Sequence, residues 1–395
     1  MKLPRDVEYI ISSLNAAGYR ADVVGGPVRD FLLGAEPSDY DITTSATPEE
    51  IKRVFLGCRT VDTGIIHGTV SLILGGVQYE ITTYRVDGEY LDARHPESVS
   101  FTDSLSEDLA RRDFTMNAIC YNPKDGITDL YGGIEDIKSR IIHAVGEPDR
   151  RFSEDALRIL RGVRFASVLG FGIEDNTALA MSEKRELLRY VSAERIYTEW
   201  KKLLSGKNAY AVLERYSDVI AVFLPEICTA PLPDKERFLG GDYLTRLLSL
   251  FALCGSENPT EAFTLAMKRL KTDKAVRLLG SSVLSAYGNY ELCSEMGMHY
   301  ALMQVGEDAL RALVRTEYLT GRLERSTEDI LDALLIRGVP YRISDLEIGG
   351  EDLTSLGFCG REVGATLAEL LRLVVSGEIC NEREKLLSFA PKLKK

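Results

Sequence analysis

Several protein classes are excluded by what this sequence lacks. No run of about 18 apolar residues occurs, so a membrane-spanning helix is not expected. The first residues, MKLPRDVEYIISSLNAAGY, have no apolar core between a basic end and a small-residue cleavage site; they read as an amphipathic helix, not a signal peptide. Only four histidines are present, and the seven cysteines (58, 120, 228, 254, 293, 359 and 380) are odd in number with no C-x-x-C spacing. A disulfide framework and a structural zinc site are therefore not expected, and a reducing cytoplasmic setting is. No G-x-G-x-x-G follows the first strand and no G-x-x-x-x-G-K-[ST] occurs, which argues against dinucleotide and P-loop sites. Excess positive charge is also missing: 48 basic residues face 60 acidic ones, for a net charge of -12. That disfavours non-specific nucleic-acid binding but leaves room for a local basic groove.

What remains is an ordinary globular composition, 45% hydrophobic and 27% charged over 395 residues, long enough for two or three domains. Up to about residue 145 helix and strand signals mix. Val7, Ile10, Ile11 and Leu14 have helical spacing, Ala21–Val24 is extended, and 69–74 and 77–84 are strand-like runs joined by Gly75-Gly76, a hairpin signal. The spacing predicts an α+β part with a small mixed or antiparallel sheet. Beyond residue 150 helical periodicity dominates, at 153–169, 193–205, 208–222, 243–255, 260–269, 305–320, 326–337 and 362–376, so an all-helical remainder is expected.

Two constellations carry chemistry. The first is Val23-Val24-Gly25-Gly26-Pro27-Val28-Arg29-Asp30, a strand, a glycine turn and a helix start. Gly25 and Gly26 let backbone approach a ligand, helix-start amides suit a phosphate, and Arg29 can fork onto its oxygens. Ten residues after Arg29 stands Asp39-Tyr40-Asp41. Two residues apart in a strand, Asp39 and Asp41 project side by side, and such a pair repels unless a hard cation such as Mg²⁺ lies between. Two ions would make a clamp for nucleotidyl displacement. Glu80 is a candidate third carboxylate, although an exposed strand glutamate is the simpler account.

The second constellation is arginine-rich. In Arg111-Arg112-Asp113-Phe114-Thr115-Met116-Asn117, Arg112 can hold a triphosphate, while Asp113 and Asn117 can bond ribose hydroxyls, although by spacing alone this is just a polar helix start. Residues 149–166 hold five arginines in 18 positions. Ser153 is a candidate N-cap, Asp155–Arg158 and Glu154–Arg158 are spaced to pair on a helix, and Arg161 and Arg164 extend a basic ridge. A fixed Asp155–Arg158 pair offers acceptors and donors that can read the polar edge of a base. An ion-paired surface helix is the plainer alternative.

Together, VVGGPVRDFLLGAEPSDYDITTSATPEE, RRDFTMNA, GGIEDIKSRIIHAVGEPDRRFSEDALRILRGVRFASVLGF and ERIYTEWKKLL resemble the bacterial-type (class II) CCA-adding enzymes, the tRNA nucleotidyltransferases, which share a superfamily with bacterial poly(A) polymerases. The likeness runs in order along residues 4–205 and resumes in ISDLEIGGEDLTSLGFCGREVGATLAELLRLVVSGEICNE. It implies a polymerase-beta-like head over 1–145, a nucleotide-selecting neck over 146–206, a helical body over 207–275 and a tRNA-binding tail over 276–395. It implies metal binding by Asp39 and Asp41, nucleotide binding by Gly26 and Arg29, and triphosphate and ribose contacts from Arg112, Asp113 and Asn117. Asp155 and Arg158 fall on the pair that reads CTP and ATP, Glu154 would brace Arg158, and Arg161 and Arg164 are further nucleotide contacts.

The implied reaction is addition of C, C and A to tRNA with release of pyrophosphate. The net acidity then calls for a basic stripe, including Arg150, Arg151, Lys201, Lys202 and Lys207. The C-terminal half holds one histidine, His299, so no H-D phosphohydrolase signature is present. Relatives that add only CC tend to have a shortened loop where this chain has 86–105, and the short basic end, Lys392-Leu393-Lys394-Lys395, is unlike the extension of poly(A) polymerases. A-adding, CC-adding and poly(A)-forming enzymes stand as alternatives, as does a non-catalytic RNA-binding protein on the same scaffold. Tyr9 and Trp200 read as core aromatics.

Overall fold

The computed structural model describes residues 1–88, 99–324 and 326–394. The chain forms two compact units, Met1–Phe223 and Leu224–Lys395.

The first unit opens with helix α1 (Arg5–Ala16), which buries Val7, Ile10, Ile11 and Leu14 as their spacing requires. Strands β1 (Ala21–Val24), β2 (Ile42–Thr44), β3 (Arg59–Gly64), β4 (Thr69–Leu74) and β5 (Val77–Thr83) follow, with helix α2 (Gly26–Leu32) between β1 and β2 and α3 (Pro48–Val54) after β2. Gly75 and Gly76 both adopt positive φ, 56° and 86°, and so close the β4–β5 hairpin with a tight turn that favours glycine. A short hairpin of β6 (Arg85–Asp87) and β7 (Val99–Phe101) leads to α4 (Leu105–Ala110), then β8 (Ile119–Asn122), β9 (Gly126–Asp129) and α5 (Gly133–Ser139). The main sheet has the order β3-β4-β5-β2-β1-β8-β9. Only β2 and β5 run parallel, so the sheet is mixed. The strand β1 is buried on both faces and sits at the centre of the core.

The helices that complete this unit are α6 (Pro148–Glu154), α7 (Leu157–Leu169), α8 (Asp175–Lys184) and α9 (Ala193–Leu204), with α7 packed along α9. The structure departs from the periodicity here. The run at 153–169 is two helices broken at Asp155, whose backbone is extended (φ -135°, ψ 102°). The remainder is also not wholly helical, because Ile141–Ile142 pairs in parallel with Gly172–Ile173. Trp200 is fully buried, whereas Tyr9 is half exposed and only edges against Phe55.

The second unit is helical. Helices at Tyr243–Ala252, Pro259–Arg269, Lys274–Ala286 and Glu307–Leu319 pack on one another, and a separate apolar cluster around Leu353, Phe358, Leu370 and Leu386 closes the C-terminal part. The run at 305–320 is interrupted at Gly306, which ends one helix and begins the next. No helix among the described residues is long and apolar enough to cross a membrane.

Candidate active site

The glycine turn ends β1. Gly25 takes φ 79°, where a side chain would be strained, and its missing Cβ leaves Arg112 Nη1 room to lie close, 3.4 Å from where that atom would stand. Val24 N–H donates to the carbonyl of Asp41 at 3.0 Å, which ties the acidic segment to the end of β1. Asp39 and Asp41 therefore do not lie inside a strand; β2 begins at Ile42, and they occupy the segment that leads into it. They are nevertheless brought together. With Glu80 and Tyr79 they line a hollow of about 480 Å³.

Electrostatics marks this pair. Asp41 is exposed as a residue, yet the protein packed around its carboxyl, then the charges of Asp39 and Glu80, push that group above the ordinary aspartate range, while Arg112 pulls the other way. Glu80 stands on β5 opposite Ser71 and is exposed. Among the described residues no three His, Cys, Asp or Glu side chains are gathered closely enough to hold a metal ion, so Glu80 shares the hollow with the acidic pair without forming a three-carboxylate cluster with it. Hard oxygens whose mutual repulsion a divalent cation would relieve are a donor set that fits one.

Arg111 and Arg112 are fixed from below by Asp108, which is fully buried. Arg111 Nη2 lies 2.6 Å from Asp108 Oδ1 and Arg112 Nη2 lies 3.2 Å from Oδ2, and Thr43 Oγ1 donates to the same carboxylate at 3.1 Å. Burial opposes the Asp108 charge, but the two arginines outweigh it and hold its pKa below normal. Beyond them, residues 115–117 form a single 3₁₀ turn. Asn117 Oδ1 accepts from Arg29 Nη1 at 2.8 Å, and Asn117 Nδ2 donates to Asp113 Oδ1 at 3.0 Å. Asp113 Oδ2 meets Arg161 Nη2 at 2.7 Å. Burial works against the Asp113 charge, yet Arg161, Asn117 and the Phe114 amide bring its pKa down to about 2. Gly25, Gly26, Arg29, Arg112, Asp113, Asn117 and Arg161 thus form one connected patch at the ends of β1 and α4.

The expected Asp155–Arg158 side-chain pair is absent. The break at Asp155 removes the helical geometry that would bring the two together. Asp155 instead accepts from the Leu157 amide at 3.1 Å and from Arg195 Nη2 at 2.9 Å. Arg158 donates to Glu154 Oε2 at 2.9 Å and to the carbonyls of Arg151 at 3.1 Å and Arg111 at 2.7 Å. The Glu154–Arg158 brace is therefore present. Ser153 lies inside α6 and caps nothing; its hydroxyl donates back to the Asp149 carbonyl at 2.8 Å.

Arg161 and Arg164 are not an exposed ridge. With Arg29 they surround the buried ring of Phe165, their Cζ atoms at 5.5, 3.7 and 5.2 Å from its centroid. Glu199 of α9, also buried, reaches Arg164 Nε at 2.6 Å and Arg161 Nη1 at 3.9 Å. Asp113 raises the Arg161 pKa, whereas burial lowers that of Arg164 against the pull of Glu199. Arg151 does not belong to an exposed stripe either: it is buried, bonded to Glu154 Oε1 at 2.8 Å and to the Ala110 carbonyl at 3.0 Å.

Asp108, Phe165, Arg195 and Glu199 were not singled out from the sequence. Glu199 had a readable signal, since it interrupts the apolar stripe of Ile196, Trp200 and Leu203 and so had to be paired inside. Asp108, beside buried Leu109, is similar. Nothing in the spacing marks Phe165 or Arg195.

Residues 21–143 match the family described as "Poly A polymerase head domain", and residues 170–230 match "Probable RNA and SrmB-binding site of polymerase A". The sheet-bearing part is thus a polymerase head of that class. Over 401 residues, 97% of this chain and 94% of the relative, the sequence is 38% identical to a CCA-adding enzyme of Enterococcus faecalis. It is 35% identical to one from a Geobacillus strain, over 95% of this chain and 94% of that one. The solved structure of the Bacillus stearothermophilus CCA-adding enzyme in complex with CTP superposes with a TM-score of 0.81 at 32% identity, covering 99% of this chain and 98% of the other. The chain belongs to the CCA-adding enzymes, a family of nucleotidyltransferases. The Thermotoga maritima CCA-adding enzyme complexed with tRNA_CCA, at 22% identity and a TM-score of 0.70, shares the fold.

Proposed function

We propose that this protein adds C, C and A, without a template, to the 3′ end of tRNA, consuming CTP and ATP and releasing pyrophosphate. One observation carries the reading: the Arg111-Arg112 dipeptide joins the two constellations. Arg112 acts on Asp41 through its charge, and the Arg111 carbonyl holds Arg158. The acidic pair and the arginine helices thus serve one nucleotide. Relatives solved with CTP, with ATP and with tRNA_CCA support the same substrates here.

In this reading Asp39 and Asp41 would hold Mg²⁺, two ions being expected during the reaction. A cation held there would supply a lower pKa to the attacking 3′-hydroxyl and a counter-charge to the departing pyrophosphate. The residues of the chain do the rest. Arg29 and Arg112 grip the triphosphate, with Gly25 and Gly26 giving it access. Asp113 and Asn117, pre-set by their mutual bond, orient the ribose. Asp155, steadied by Arg195, and Arg158, steadied by Glu154, read the polar edge of the base. A base that leaves either unpaired costs roughly 1–3 kcal/mol per group. Arg161 and Arg164 complete the positive wall. The division into head, neck, body and tail given above is part of this proposal, as is a cytoplasmic setting.

The middle of the loop at 86–105, which bears on complete against CC-only addition, lies outside the described residues, at 89–98. The deciding experiment incubates tRNA lacking its end with CTP alone, ATP alone and both, and reads product length and base identity. Addition of CC with CTP alone, completed to CCA by ATP, is expected. Arrest after CC, addition of A only to a CC end, or growth of long A tails rejects the complete assignment. Asp41→Ala should abolish transfer while leaving tRNA affinity intact; turnover that survives it points to an RNA-binding protein whose metal site is elsewhere.

A further inference from the structure

Phe165 lies in the midst of the nucleotide patch, yet the reaction described above gives it no part. It belongs to the inward face of α7, with Leu157, Ile159, Leu160 and Val163, and is 4% exposed. A core phenylalanine on such a face is ordinarily surrounded by apolar side chains. One neighbour is of that kind: the Phe114 ring meets Phe165 edge-on, with centroids 5.9 Å apart and planes at 85°. Gly162, one turn earlier, makes room for it, since a Cβ there would press on Phe114 Cζ at 2.9 Å. The ring also meets three cations. Arg164 Cζ lies 3.7 Å from its centroid, Arg29 Cζ 5.2 Å and Arg161 Cζ 5.5 Å.

Ion pairs do not account for this convergence. Each arginine has its own carboxylate: Arg29 meets Asp30 at 2.7 Å, Arg161 meets Asp113 at 2.7 Å and Arg164 meets Glu199 at 2.6 Å. Those acids stand on α2, in the 111–117 segment and on α9, so by themselves they would draw the three guanidiniums toward three elements. Cations that crowd one ring, within about 10 Å of each other and largely out of bulk water, also repel with little screening by salt. Burial lowers the Arg164 pKa, and the charge of Arg161 adds to that effect against the pull of Glu199. What the ring supplies is attraction. Its faces carry partial negative charge, and a desolvated guanidinium gains most from lying over one. An aliphatic side chain would fill the same space and attract none of them. Arg161 and Phe165 are four apart on α7, a spacing that lets them meet, whereas Arg29 comes from α2; the ring therefore ties α2 to α7.

We propose that Phe165 is a positioning residue for nucleotidyl transfer: its ring gathers Arg29, Arg161 and Arg164 at one point and so presets the cationic wall that draws in the phosphates of CTP and ATP. In this role the ring acts through the arginines, not on the nucleotide itself. A wall assembled before the nucleotide arrives avoids ordering three long side chains on binding, a cost that would otherwise weaken affinity. Phe165 serves either nucleotide alike, because the phosphates are common to both. The inference rests on the proposed function and adds to it the group that holds its arginines together.

The test is steady-state kinetics with CTP on truncated tRNA and with ATP on tRNA ending in CC, well below the thermal midpoints. Three proteins are compared: wild type, Phe165→Leu, and full-length protein with pentafluorophenylalanine in place of Phe165. Fluorination nearly keeps the size and apolar character of the ring but removes the negative charge from its faces. It should raise KM for CTP and for ATP by a common factor of roughly tenfold, with kcat within about twofold, as expected when binding alone is weakened. KM for tRNA should not follow. Phe165→Leu should raise both nucleotide KM values as well, and its thermal midpoint should be the lowest of the three, because the smaller side chain leaves a cavity. Fluorinated protein with wild-type KM for both nucleotides overturns the inference and makes Phe165 a core residue only, even where Phe165→Leu fails to fold. A rise for CTP alone or ATP alone also overturns it, since the ring would then bear on base choice, as does a rise confined to KM for tRNA. Wild-type protein that transfers neither C nor A overturns the parent reading and this inference with it.

Discussion

Arg195 Nη2 lies 2.9 Å from Asp155 Oδ2, so the aspartate that the sequence pairs with Arg158 is held by α9 instead. The other terminal nitrogen of Arg195, Nη1, is buried without a hydrogen-bond partner among the described residues. Arg195 therefore serves to orient Asp155 at some cost to its own hydration. Arg195→Met should leave KM for tRNA unchanged and relax base choice. Incorporation of U relative to C should rise about tenfold, the effect of losing a selective contact of about 1.4 kcal/mol. Competition between CTP and UTP on truncated tRNA measures it; an unaltered ratio shows that Arg195 does not steer selection.

The raised pKa of Asp41 carries a signed consequence. In the fold its protonated form is favoured, so its contribution to stability is present below the ordinary aspartate value and is lost as pH rises through the elevated one. At neutral pH without divalent cations, Asp41→Asn should raise the thermal midpoint, and near pH 3 the two proteins should match. Mg²⁺ should raise the midpoint of wild type and leave that of the variant nearly unmoved. Equal responses to Mg²⁺ would place the metal away from Asp41.

Asp113 behaves in the opposite sense. Its folded pKa, about 2, is below the unfolded value, so it stabilises above the ordinary aspartate range and that stability fades as pH falls through about 2. Acid unfolding followed between about pH 4 and 2 should therefore be less steep in Asp113→Asn than in wild type. The variant should also bind CTP more weakly, because only one of the two oxygens that accept from Asn117 and Arg161 remains, and the charge that faces Arg161 is gone.

Glu199 faces Arg161 and Arg164 inside the protein. Removing it leaves buried cations uncompensated, and Glu199→Ala should cost roughly 3 kcal/mol in urea unfolding. Glu199→Gln, which keeps the shape, should unfold closer to wild type yet show a raised KM for nucleotide with kcat less affected. A loss of stability without that kinetic signature would make Glu199 structural only.

Gly133 has a negative φ, yet a Cβ there would collide with the Thr115 carbonyl and press on Ile119 Cγ1 at 2.9 Å. The 3₁₀ turn that carries Asn117 would have to move. Gly133→Ala should destabilise by roughly 1–3 kcal/mol and raise KM for CTP, although the residue touches no proposed ligand. Wild-type kinetics in this variant would show that the turn tolerates displacement.

Much of the site was legible because its signals are local. The glycine turn, the acidic pair, the Gly75-Gly76 hairpin and the brace between Glu154 and Arg158 depend on neighbours a few residues apart. The Asp155–Arg158 pair misled because helical spacing assumes an unbroken helix, and the break at Asp155 leaves no periodic trace. Arg151 looked like a surface cation since a run of basic residues does not reveal which one turns inward to meet Glu154 and Ala110.

Residue order alone determined the elements and the chemistry they carry: which segments alternate, which wind, and where carboxylates, guanidiniums and glycines stand. Tertiary structure alone decided the partners. Asp155 with Arg195, Asp113 with Arg161, and Arg164 with Glu199 are joined across 40, 48 and 35 positions of chain. Such pairings follow from how α7 packs on α9 and on the sheet, because buried charges must find a counter-charge wherever packing brings one within reach.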